Sequence, residues 1–513
     1  MIYSEKCAIL NFKERHIILA EVKELLDFSS LEKYKENNRI EAKKALGGLP
    51  HSIWETYSAF ANTIGGVILL GVEEYADKTL HPINIPDPDK LIKDFWDIIN
   101  NSQKVSANIL SNKDVYVKDV DGNQIVVINV PRAQRSDRPV YLDGNYINSY
   151  RRNGEGDYKC TKEEINAMIR DASIKSQDML VLNEMDLDVF DFESVHSYRM
   201  RMKHSKPGHV WETLEDEDFL LRLGAVGRGD DGKRHPTVAG LLMFGHEYEI
   251  VREFPSYFLD YQEQYDDATR WTDRIVSSSG EWSGNIYDFY FRVYNKISQN
   301  IKVPFKIENG IRIEDTSVHI AVREALANCL INSDYHGTRG IVIINKPDEI
   351  TISNPGGFRI ELEAAKSGGI SDPRNTVLMK MFTLIDIGER AGSGIPNIYS
   401  VWNKQGWSAP TISEEFDPER ITLSLPLKKA AIKSGDKKAA IKSGDKKAAI
   451  KTLAHKQAII EYLTTNASAK SSELAELVGL KSSRLKEILS EMISDDIIVP
   501  EGNNKNRRYK LKS

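Results

Sequence analysis

The sequence has few cysteines and no long hydrophobic run. Only Cys7, Cys160 and Cys329 occur in 513 residues, and their spacing fits neither a disulfide framework nor a metal motif. The longest apolar stretch, VILLGV around Leu69, is far shorter than the roughly 20 residues of a membrane-spanning helix. No leading segment joins a basic start to a long apolar run. These absences predict a cytoplasmic protein without a membrane partner.

A strong charge of one sign is also missing. The chain has 69 Lys and Arg against 75 Asp and Glu, a formal net charge of −6, so composition alone gives no indication of a nucleic-acid partner. The motif G-x-x-x-x-G-K-[ST] does not occur in the sequence. Because that glycine-rich loop is what cradles phosphates in P-loop enzymes, its absence argues against a helicase of that class.

A repeat near the C-terminus gives the clearest mark of domain organisation. KKAAIKSGD occupies 428–436 and again 437–445, and KKAAIK begins a third copy at 446. Two and a half copies are too short to bury a core, so we interpret 428–451 as a flexible basic linker, with fluctuating helix as the alternative. With a softer boundary near 175–195, the predicted segments are 1–180, 181–305, 306–427, 428–451 and 452–513.

The segment VREALANCLINSDYHG, 322–337, is typical of an amphipathic helix that packs into a core. Glu324 and Asn328 lie four residues apart and hence on one face, beside apolar neighbours. After it, IVIIN and EITIS predict a hairpin that turns at 346–348. The second strand ends in Asn354, Pro355, Gly356 and Gly357, where paired glycines permit a close approach of the backbone to a ligand.

A second glycine-rich stretch, GERAGSGIPNIY, precedes the next predicted helix. Gly388, Gly392 and Gly394 would leave backbone N–H groups free to bind phosphate at that helix start. In this order, REALANCLINSDYHG, ITISNPGGF and GERAGSGI resemble the N-box and the two glycine boxes of GHKL-type ATPase domains. The resemblance is greatest to the divergent branch known as RecG-like C-terminal regions of transcriptional regulators.

That resemblance implies an α/β sandwich that binds ATP and Mg²⁺. Glu324 would orient or deprotonate the attacking water, Asn328 would ligate Mg²⁺, and Asn354 would contact adenine where the family usually has Asp. The remaining implied nucleotide-binding residues are Gly356, Gly357, Arg390, Gly392 and Gly394. Asn354 departs from the family pattern and lacks a charge that would strengthen such a bond, so nucleotide use could be weak or degenerate. The structural alternative makes the polar pair helix-surface residues and the glycines turn formers.

Near the N-terminus, residues 36–74 carry a second set of motifs. A helix from about Pro50 to Asn62 leads through Gly65 and Gly66 into the buried strand VILLGV. The pattern E-x(4)-E-x-K followed by AFANTIGGVILLGVEE resembles the Schlafen-type AlbA-like domain, an α/β fold, over roughly 28–155.

Some Schlafen proteins are metal-dependent RNA nucleases, and the resemblance implies which residues would serve here. Glu36, Glu41 and Glu74 would bind Mg²⁺ or Mn²⁺, which prefer oxygen ligands, and Lys43 would lie near the phosphate. The third acid is usually Asp, and Glu73 competes with Glu74 for that role. The alternative is a solvated acidic face beside a glycine turn.

Two further stretches carry expectations that the fold can test. YINSYRRNGEGDYKC places Tyr146, Tyr150, Arg151 and Arg152 on a strand or its exit. Interleaved aromatic and arginine side chains can stack on bases and bind phosphate, although a surface strand edge has the same pattern. In the middle region, HPTVAGLLMFG predicts a strand after a turn, and His235 has no partner spacing for a metal, which favours a structural role.

The tail, 452–513, predicts a winged helix-turn-helix. Helical stretches fit 455–464, 471–477 and 481–493, and DDIIV with RRYKLK predicts a two-stranded wing. The candidate DNA contacts lie at the start of the third helix and on the wing, at Lys481, Ser482, Ser483, Arg484, Lys486, Lys505, Arg507 and Arg508. The alternative is a winged helix that binds a protein.

Together these patterns predict an α/β and α+β multidomain protein with three function hypotheses. The first is a regulator in which an ATP-binding domain switches DNA or RNA binding, with the dimerisation that is common in the GHKL family. The second is an ATP-gated, metal-dependent nuclease of Schlafen type, in phage defence. The third is an interaction scaffold with degenerate sites.

Overall fold

The computed structural model describes residues 26–265, 270–301, 306–308, 311–313, 316–388, 392–416 and 418–429, and in the tail 459, 462–463, 466, 468–478, 485, 489, 492–493, 498–501 and 508–511. The chain divides into two compact units, Met1–Ala430 and Ala431–Ser513. None of the helices in these described parts is long and apolar enough to cross a membrane.

Helices of the described residues are mostly short and lie chiefly in the first unit. In chain order they are α1 (Ile53–Asn62), α2 (Pro88–Ile99), α3 (Lys162–Ala172), α4 (Phe192–Ser205), α5 (Asp216–Leu223), α6 (Val238–Phe244), α7 (Glu247–Glu253), α8 (Ile286–Asn300), α9 (Ser317–Asn332), α10 (Leu362–Ser367), α11 (Thr376–Leu384), α12 (Gly394–Gln405) and α13 (Ser471–Val478).

The strands form two larger sheets and several small ones. They are β1 (Ile40–Lys43), β2 (Gly66–Leu70), β3 (Val72–Glu74), β4 (Leu80–Pro82), β5 (Val115–Val120), β6 (Asn123–Val130), β7 (Tyr141–Leu142), β8 (Asn145–Asn153), β9 (Gly156–Lys159), β10 (Val226–Arg228), β11 (Arg234–Pro236), β12 (Leu259–Glu263), β13 (Asp273–Val276), β14 (Lys306–Glu308), β15 (Ile311–Ile313), β16 (Ile341–Lys346), β17 (Glu349–Pro355), β18 (Thr411–Phe416), β19 (Glu419–Pro426), β20 (Ala469–Lys470), β21 (Ile498–Glu501) and β22 (Arg508–Leu511).

The N-terminal sheet has the order β1-β2-β6-β5 and is buried on both faces. Because side chains alternate along a strand, Ile68 and Leu70 of β2 pack with α1 on one side, while Val67 and Leu69 enter a second core on the other. This two-sided burial explains why the strand is a continuous apolar run.

The N-T-I-G-G motif between α1 and β2 is explained by packing. A Cβ on Gly66 would lie 2.7 Å from the Phe60 ring, and Gly65 has a φ of +72° with the Val130 carbonyl equally close. Asn62 donates to the carbonyl oxygens of Val140 and Tyr150. The motif therefore fixes α1 against β8, the strand that carries Tyr150 and Arg152.

The second large sheet has the order β13-β12-β16-β17-β19-β18. The expected hairpin is present as β16 and β17, and β16 also pairs in parallel with β12. Helix α9 packs on this sheet through Val322, Leu326 and Leu330 within one large core that extends from Met185 to Leu425. Two of the six strands thus come from residues 259–276, which precede the segment that resembles an ATPase.

The expectation of a strand in HPTVAGLLMFG holds only for His235 and Pro236, the end of β11, and was wrong for the apolar run that follows. Val238–Phe244 is helix α6, with every residue buried, and the Thr237 side chain accepts a hydrogen bond from Gly240 N at its start. A short, wholly apolar run is compatible with either a buried strand or a buried helix, and here the capping threonine agrees with the helix.

The second unit has the elements of a winged helix. Strands β21 and β22 form an antiparallel pair, β20 joins β22, and α13 follows β20. Its core contains Leu474 of α13 and Ile498 and Tyr509 of the strands, together with Ile459, Leu463, Ala469, Leu485, Leu489 and Met492. The predicted helix at 471–477 and the two-stranded wing are both confirmed.

Candidate functional site

Helix α9 and the end of β17 line the main candidate site. A cavity of about 160 Å³ lies between them, and Glu324, Asn328 and Asn354 all line it. Glu324 and Asn328 are half-buried, and the Asn328 carboxamide donates to the Glu324 carboxylate at 3.3 Å. The structure thus brings the polar pair of the helix to the same space as the strand that ends in N-P-G-G.

The glycines of the second glycine-rich stretch lie directly against this polar pair. A Cβ on Gly394, the first residue of α12, would come within 2.6 Å of Glu324 Oε1 and 2.8 Å of Asn328 Nδ2. Gly392 also lines the cavity, with a φ of +65°, and a Cβ there would lie 2.4 Å from the Ile370 carbonyl. The start of α12 can therefore approach α9 closely only because Gly394 lacks a side chain, and Gly392 in the same way makes room for the Ile370 backbone. Arg390 lies outside the described residues.

The paired glycines after Asn354 are approached by protein groups. Gly356 has a φ of +93°, and a Cβ on it would collide with the Arg374 guanidinium at 2.3 Å. A Cβ on Gly357 would lie 2.6 Å from Glu414 Oε1. Gly357 and Asn354 both line the cavity, and the buried Asn354 donates to the Pro355 carbonyl. Close backbone approach was expected here, and in this structure the approaching groups are arginine and glutamate side chains.

The cavity has an apolar part and a polar part. Its apolar lining includes residues of strands β17, β18 and β19 and of helices α11 and α12, among them Ile352, Ile412, Ile421, Leu423, Met379, Ile395 and Ile398. The polar lining includes Glu324, Asn328, Arg359 and Arg374. An apolar surface next to amides, a carboxylate and guanidinium groups suits a molecule with a flat base at one end and phosphates at the other.

Arg359 and Arg374 form the cationic wall of the cavity, which also contacts the end of α3. Arg374 donates two hydrogen bonds to the Asp171 carboxylate, at 2.9 and 2.7 Å, and one to the Gly357 carbonyl. Burial alone would raise the pKa of Asp171, but the charge and hydrogen bonds of Arg374, with Arg359 nearby, lower it to about 2. Asp171 is therefore an anion that neutralises part of this wall.

Sequence reasoning missed a second set of arginines, in PRAQRSDRP after β6. Arg132 makes a bidentate pair with Glu414 of β18 and also donates to the Phe358 carbonyl, while Arg135 bonds Asp372 at 2.6 Å. Arg138 is buried, and burial together with the Arg132 charge lowers its pKa to about 10. Three arginines between two prolines in nine residues were the available signal.

In the N-terminal domain the predicted acids have different roles. Glu41 is buried, and its two oxygens are paired with Lys43 and with Arg152, each at 2.8 Å. Arg152 also bonds Asp157 and lies over the Phe60 ring at 5.1 Å. Glu41 and Lys43 thus belong to a compensated, buried ion-pair network.

Glu36 lies close enough to Glu41 and to Glu74 for its charge to interact with theirs. Burial raises the pKa of Glu36, and the charges of Glu41 and Glu74 add to that effect against a hydrogen bond from the Ala42 amide. Glu74 is paired with Lys78, whose Nζ lies 3.3 Å from the Glu74 Oε1. Within the described residues no group of three or more His, Cys, Asp or Glu is placed to hold a metal ion. The acids therefore do not fit a metal as they stand, because Glu41 already neutralises two cations.

The predicted stacking element is largely internal. Tyr150 is a core residue whose hydroxyl donates to Glu55, and Arg152 is 3% exposed. Arg151 pairs with Glu164 at 3.0 Å. The exposed aromatic side chains of this hairpin are Tyr146, which was among the predicted residues, and Tyr158 on β9. The expectation that Tyr150 and Arg152 stack on bases or bind phosphate does not match their burial.

Most of the predicted DNA contacts of the tail, among them Lys481, Arg484, Lys486 and Arg507, lie outside the described residues. Arg508 is described, and its guanidinium donates to the Ser468 side chain and carbonyl at 2.8 and 3.0 Å. This residue therefore holds β22 next to β20, a structural role that the sequence pattern did not indicate.

Comparison with known families agrees with this division. Residues 36–161 match the family model "Schlafen, AlbA_2", residues 339–423 match "Putative ATP-dependent DNA helicase recG C-terminal", and residues 454–499 match "Winged helix-turn-helix DNA-binding". The chain combines these three domains. Residues 166–260 match a domain of unknown function, DUF8451. Together the three characterised families indicate a nucleic-acid-binding, ATPase-like protein.

Similarity to individual proteins is weaker. No curated protein matches the chain. A crystal structure of a protein from Corynebacterium diphtheriae is 15% identical, with 97% of this chain and 100% of that chain covered and a TM-score of 0.39. The N-terminal domain of a RecG-related protein from Nitrosomonas europaea is 29% identical over 26% of this chain and 90% of its own, with a TM-score of 0.20.

Proposed function

We propose that this protein is a regulator whose binding to nucleic acid depends on a nucleotide held in the cavity beside α9. The winged helix and the Schlafen-type domain supply the contacts with nucleic acid, and the RecG C-terminal-like domain supplies the switch. The nucleotide would be ATP with Mg²⁺, and dimerisation on ATP binding, a property of the GHKL family, belongs to this proposal.

The residues of the cavity fit such a ligand. Asn328 offers a carboxamide oxygen, a hard ligand of the kind Mg²⁺ prefers, and Glu324 is placed beside it to accept a proton from water or to orient it. Arg359 and Arg374 offer guanidinium groups for phosphate, and the isoleucines of the sheet offer an apolar surface for a base. When bound, the nucleotide supplies a triphosphate that can be hydrolysed.

One observation supports the proposal that the nucleotide acts as a switch. The segment from Gly357 to Arg374 both lines the cavity and contacts the N-terminal part of the chain, through the Arg132 bond to the Phe358 carbonyl and the Arg374 pair with Asp171. A ligand that prefers one arrangement of this segment would shift the arrangement of the residues it contacts.

The test is the affinity for a labelled DNA duplex, with and without ATP and Mg²⁺. We expect ATP to change the dissociation constant at least fivefold in the wild type and to leave it unchanged in Asn328→Ala. Because coupling between two ligands is reciprocal, DNA should change the affinity for ATP by the same factor. Equal DNA affinity with and without ATP, at concentrations where ATP is bound, would refute the switch.

Metal-dependent cleavage by the Schlafen-type domain is the second candidate. It is favoured by the closeness of Glu36 to both Glu41 and Glu74, whereas the ion pairs of Glu41 and Glu74 oppose it. The test is incubation of labelled RNA and single-stranded DNA with Mn²⁺. Cleavage by the wild type that is lost in Glu74→Gln would support the nuclease, and its absence in the wild type would exclude cleavage under those conditions.

A further inference from the structure

Arg359 occupies an unusual position in the cationic wall of the cavity. Its side chain is 8% exposed, and its Nε is buried with no hydrogen-bond acceptor in the described part of the chain. The other nitrogens donate to backbone carbonyls, Nη1 to Pro373 at 3.0 Å and Nη2 to Asp171 at 3.2 Å. Carbonyl groups hold a guanidinium in place but do not neutralise its charge.

The carboxylates near Arg359 are engaged by other arginines. Asp171 bonds Arg374 at 2.7 Å and Asp372 bonds Arg135 at 2.6 Å, whereas both carboxylates lie 3.7 to 3.9 Å from Arg359 Nε. Arg135, Arg359 and Arg374 therefore share two carboxylates. Arg359 has the longest ion pairs of the three, and it lines the cavity. Burial also lowers the pKa of Arg359, as expected where a cation is incompletely compensated.

From this geometry we infer that Arg359 is an anion receptor that binds the phosphate end of a nucleotide in the cavity. Asp372 competes with that phosphate for the guanidinium. The inference rests on the proposed function for the identity of the ligand, but its chemistry requires only a polyphosphate. Asp372 connects the same guanidinium to Arg135 in the loop after β6. Phosphate binding would therefore alter a contact of the N-terminal domain.

The first measurement uses sodium tripolyphosphate, which has the phosphates but no base. We expect the full-length wild type to bind it in titration calorimetry and Arg359→Gln to bind it about tenfold more weakly, the cost of one charge-assisted hydrogen bond. Adenosine, which has the base but no phosphate, should bind both proteins equally. Arg359→Lys, which keeps the charge but loses the planar fork, should lie between them.

Two further variants separate a specific role from general damage. Arg420 of β19 is also buried, does not line the cavity and donates to the carbonyls of Gly340 and Ser353. Arg420→Gln should therefore leave the tripolyphosphate affinity within twofold. Asp372→Asn should tighten binding severalfold, and this gain should disappear in the Arg359→Gln background if Asp372 acts through that guanidinium. If the two substitutions change the free energy of tripolyphosphate binding additively, Asp372 repels the phosphate directly and does not act through Arg359.

The outcomes distinguish this inference from the proposed function. If ATP binds but neither ATP nor tripolyphosphate affinity depends on Arg359, the receptor role is wrong and the switch survives. If tripolyphosphate binds through Arg359 but ATP does not bind more tightly than tripolyphosphate, the site is an anion site and the nucleotide switch is wrong. If neither ligand binds the wild type, both proposals are overturned.

Discussion

Arg132 and Glu414 are 282 residues apart in the chain and form a bidentate ion pair, with nitrogen–oxygen distances of 2.7 and 2.9 Å. Their side chains are 6% and 10% exposed. The pair joins the loop after β6 of the Schlafen-type domain to β18 of the ATPase-like sheet. The Glu414 carboxylate also accepts from the Phe358 amide, so it connects the pair to the cavity wall.

The first prediction concerns this ion pair. Glu414→Gln leaves the Arg132 charge buried without its anion, so we expect the free energy of unfolding of the first unit to fall by about 3 kcal/mol in urea denaturation. Glu415→Gln, at the neighbouring exposed position of β18, should change it by less than about 0.5 kcal/mol. Similar values for both variants would show that the pair does not stabilise the contact.

The second prediction concerns nucleotide binding. ATP with Mg²⁺ should raise the thermal unfolding temperature of the wild type, since a ligand at about 100 times its dissociation constant stabilises by about 2.7 kcal/mol. Asn328→Ala should abolish the shift because a metal ligand is lost, and Glu324→Ala should retain binding but lose any slow hydrolysis. Asn403→Ala, an exposed change on α12, should behave as the wild type. No shift at millimolar ATP would mean a degenerate site.

The third prediction concerns acid stability. The pKa of Asp171 is lowered from 3.8 in the unfolded reference to about 2 in the fold. Its stabilising contribution is therefore complete above about pH 4 and is lost as the pH falls towards 2, a change of about 2 kcal/mol. Asp171→Asn should be less stable than the wild type at pH 7, and the difference should shrink over that window. A constant difference down to pH 2 would contradict this assignment.

The fourth prediction concerns the buried Glu41. Glu41→Gln would keep the volume but deprive Lys43 and Arg152 of an anion, and we expect a loss of about 3 kcal/mol in the free energy of unfolding. A solvated acidic face, the alternative drawn from the sequence, would instead leave the stability of this variant unchanged. Glu73→Gln, which removes a pair with the exposed Lys44, should cost less than about 1 kcal/mol. Chemical denaturation of both variants provides the comparison.

The fifth prediction concerns the winged helix. Deletion of 452–513 should remove most of the affinity for duplex DNA and leave the ATP-induced thermal shift intact. In the intact protein, binding should weaken steeply as salt increases, because phosphate contacts release counterions. If the deletion leaves DNA affinity unchanged, the winged helix binds a protein partner instead.

Local pattern was sufficient for much of the architecture. The β16–β17 hairpin, the helix containing Glu324 and Asn328, the helix after Gly394 and the wing strands all follow from hydrophobic period and turn residues. These signals act over a few residues, so they can be read without knowledge of the rest of the chain. Val238–Phe244 shows the limit, because a wholly apolar run has no period to interpret.

The roles of individual polar residues depended on contacts that the sequence does not reveal. Tyr150 and Arg152 occur in a pattern typical of nucleic-acid binding, yet packing against α1 and pairing with Glu41 place both in the interior. Gly356 makes room for Arg374 and Gly357 for Glu414, which lie 18 and 57 residues further along the chain than the respective glycine. Residue type and spacing set which chemistry is possible, while burial and partner decide which is used.

By itself the sequence determined three domain types, the polar pair on α9 and the order of the glycine motifs around it. Only the tertiary structure decided that the wall of the cavity is a set of arginines shared with the N-terminal part of the chain. The physical reason is that an ion pair between Arg132 and Glu414 has no local signature in the sequence. It exists because the fold brings two distant parts of the chain, with opposite charges, together away from water.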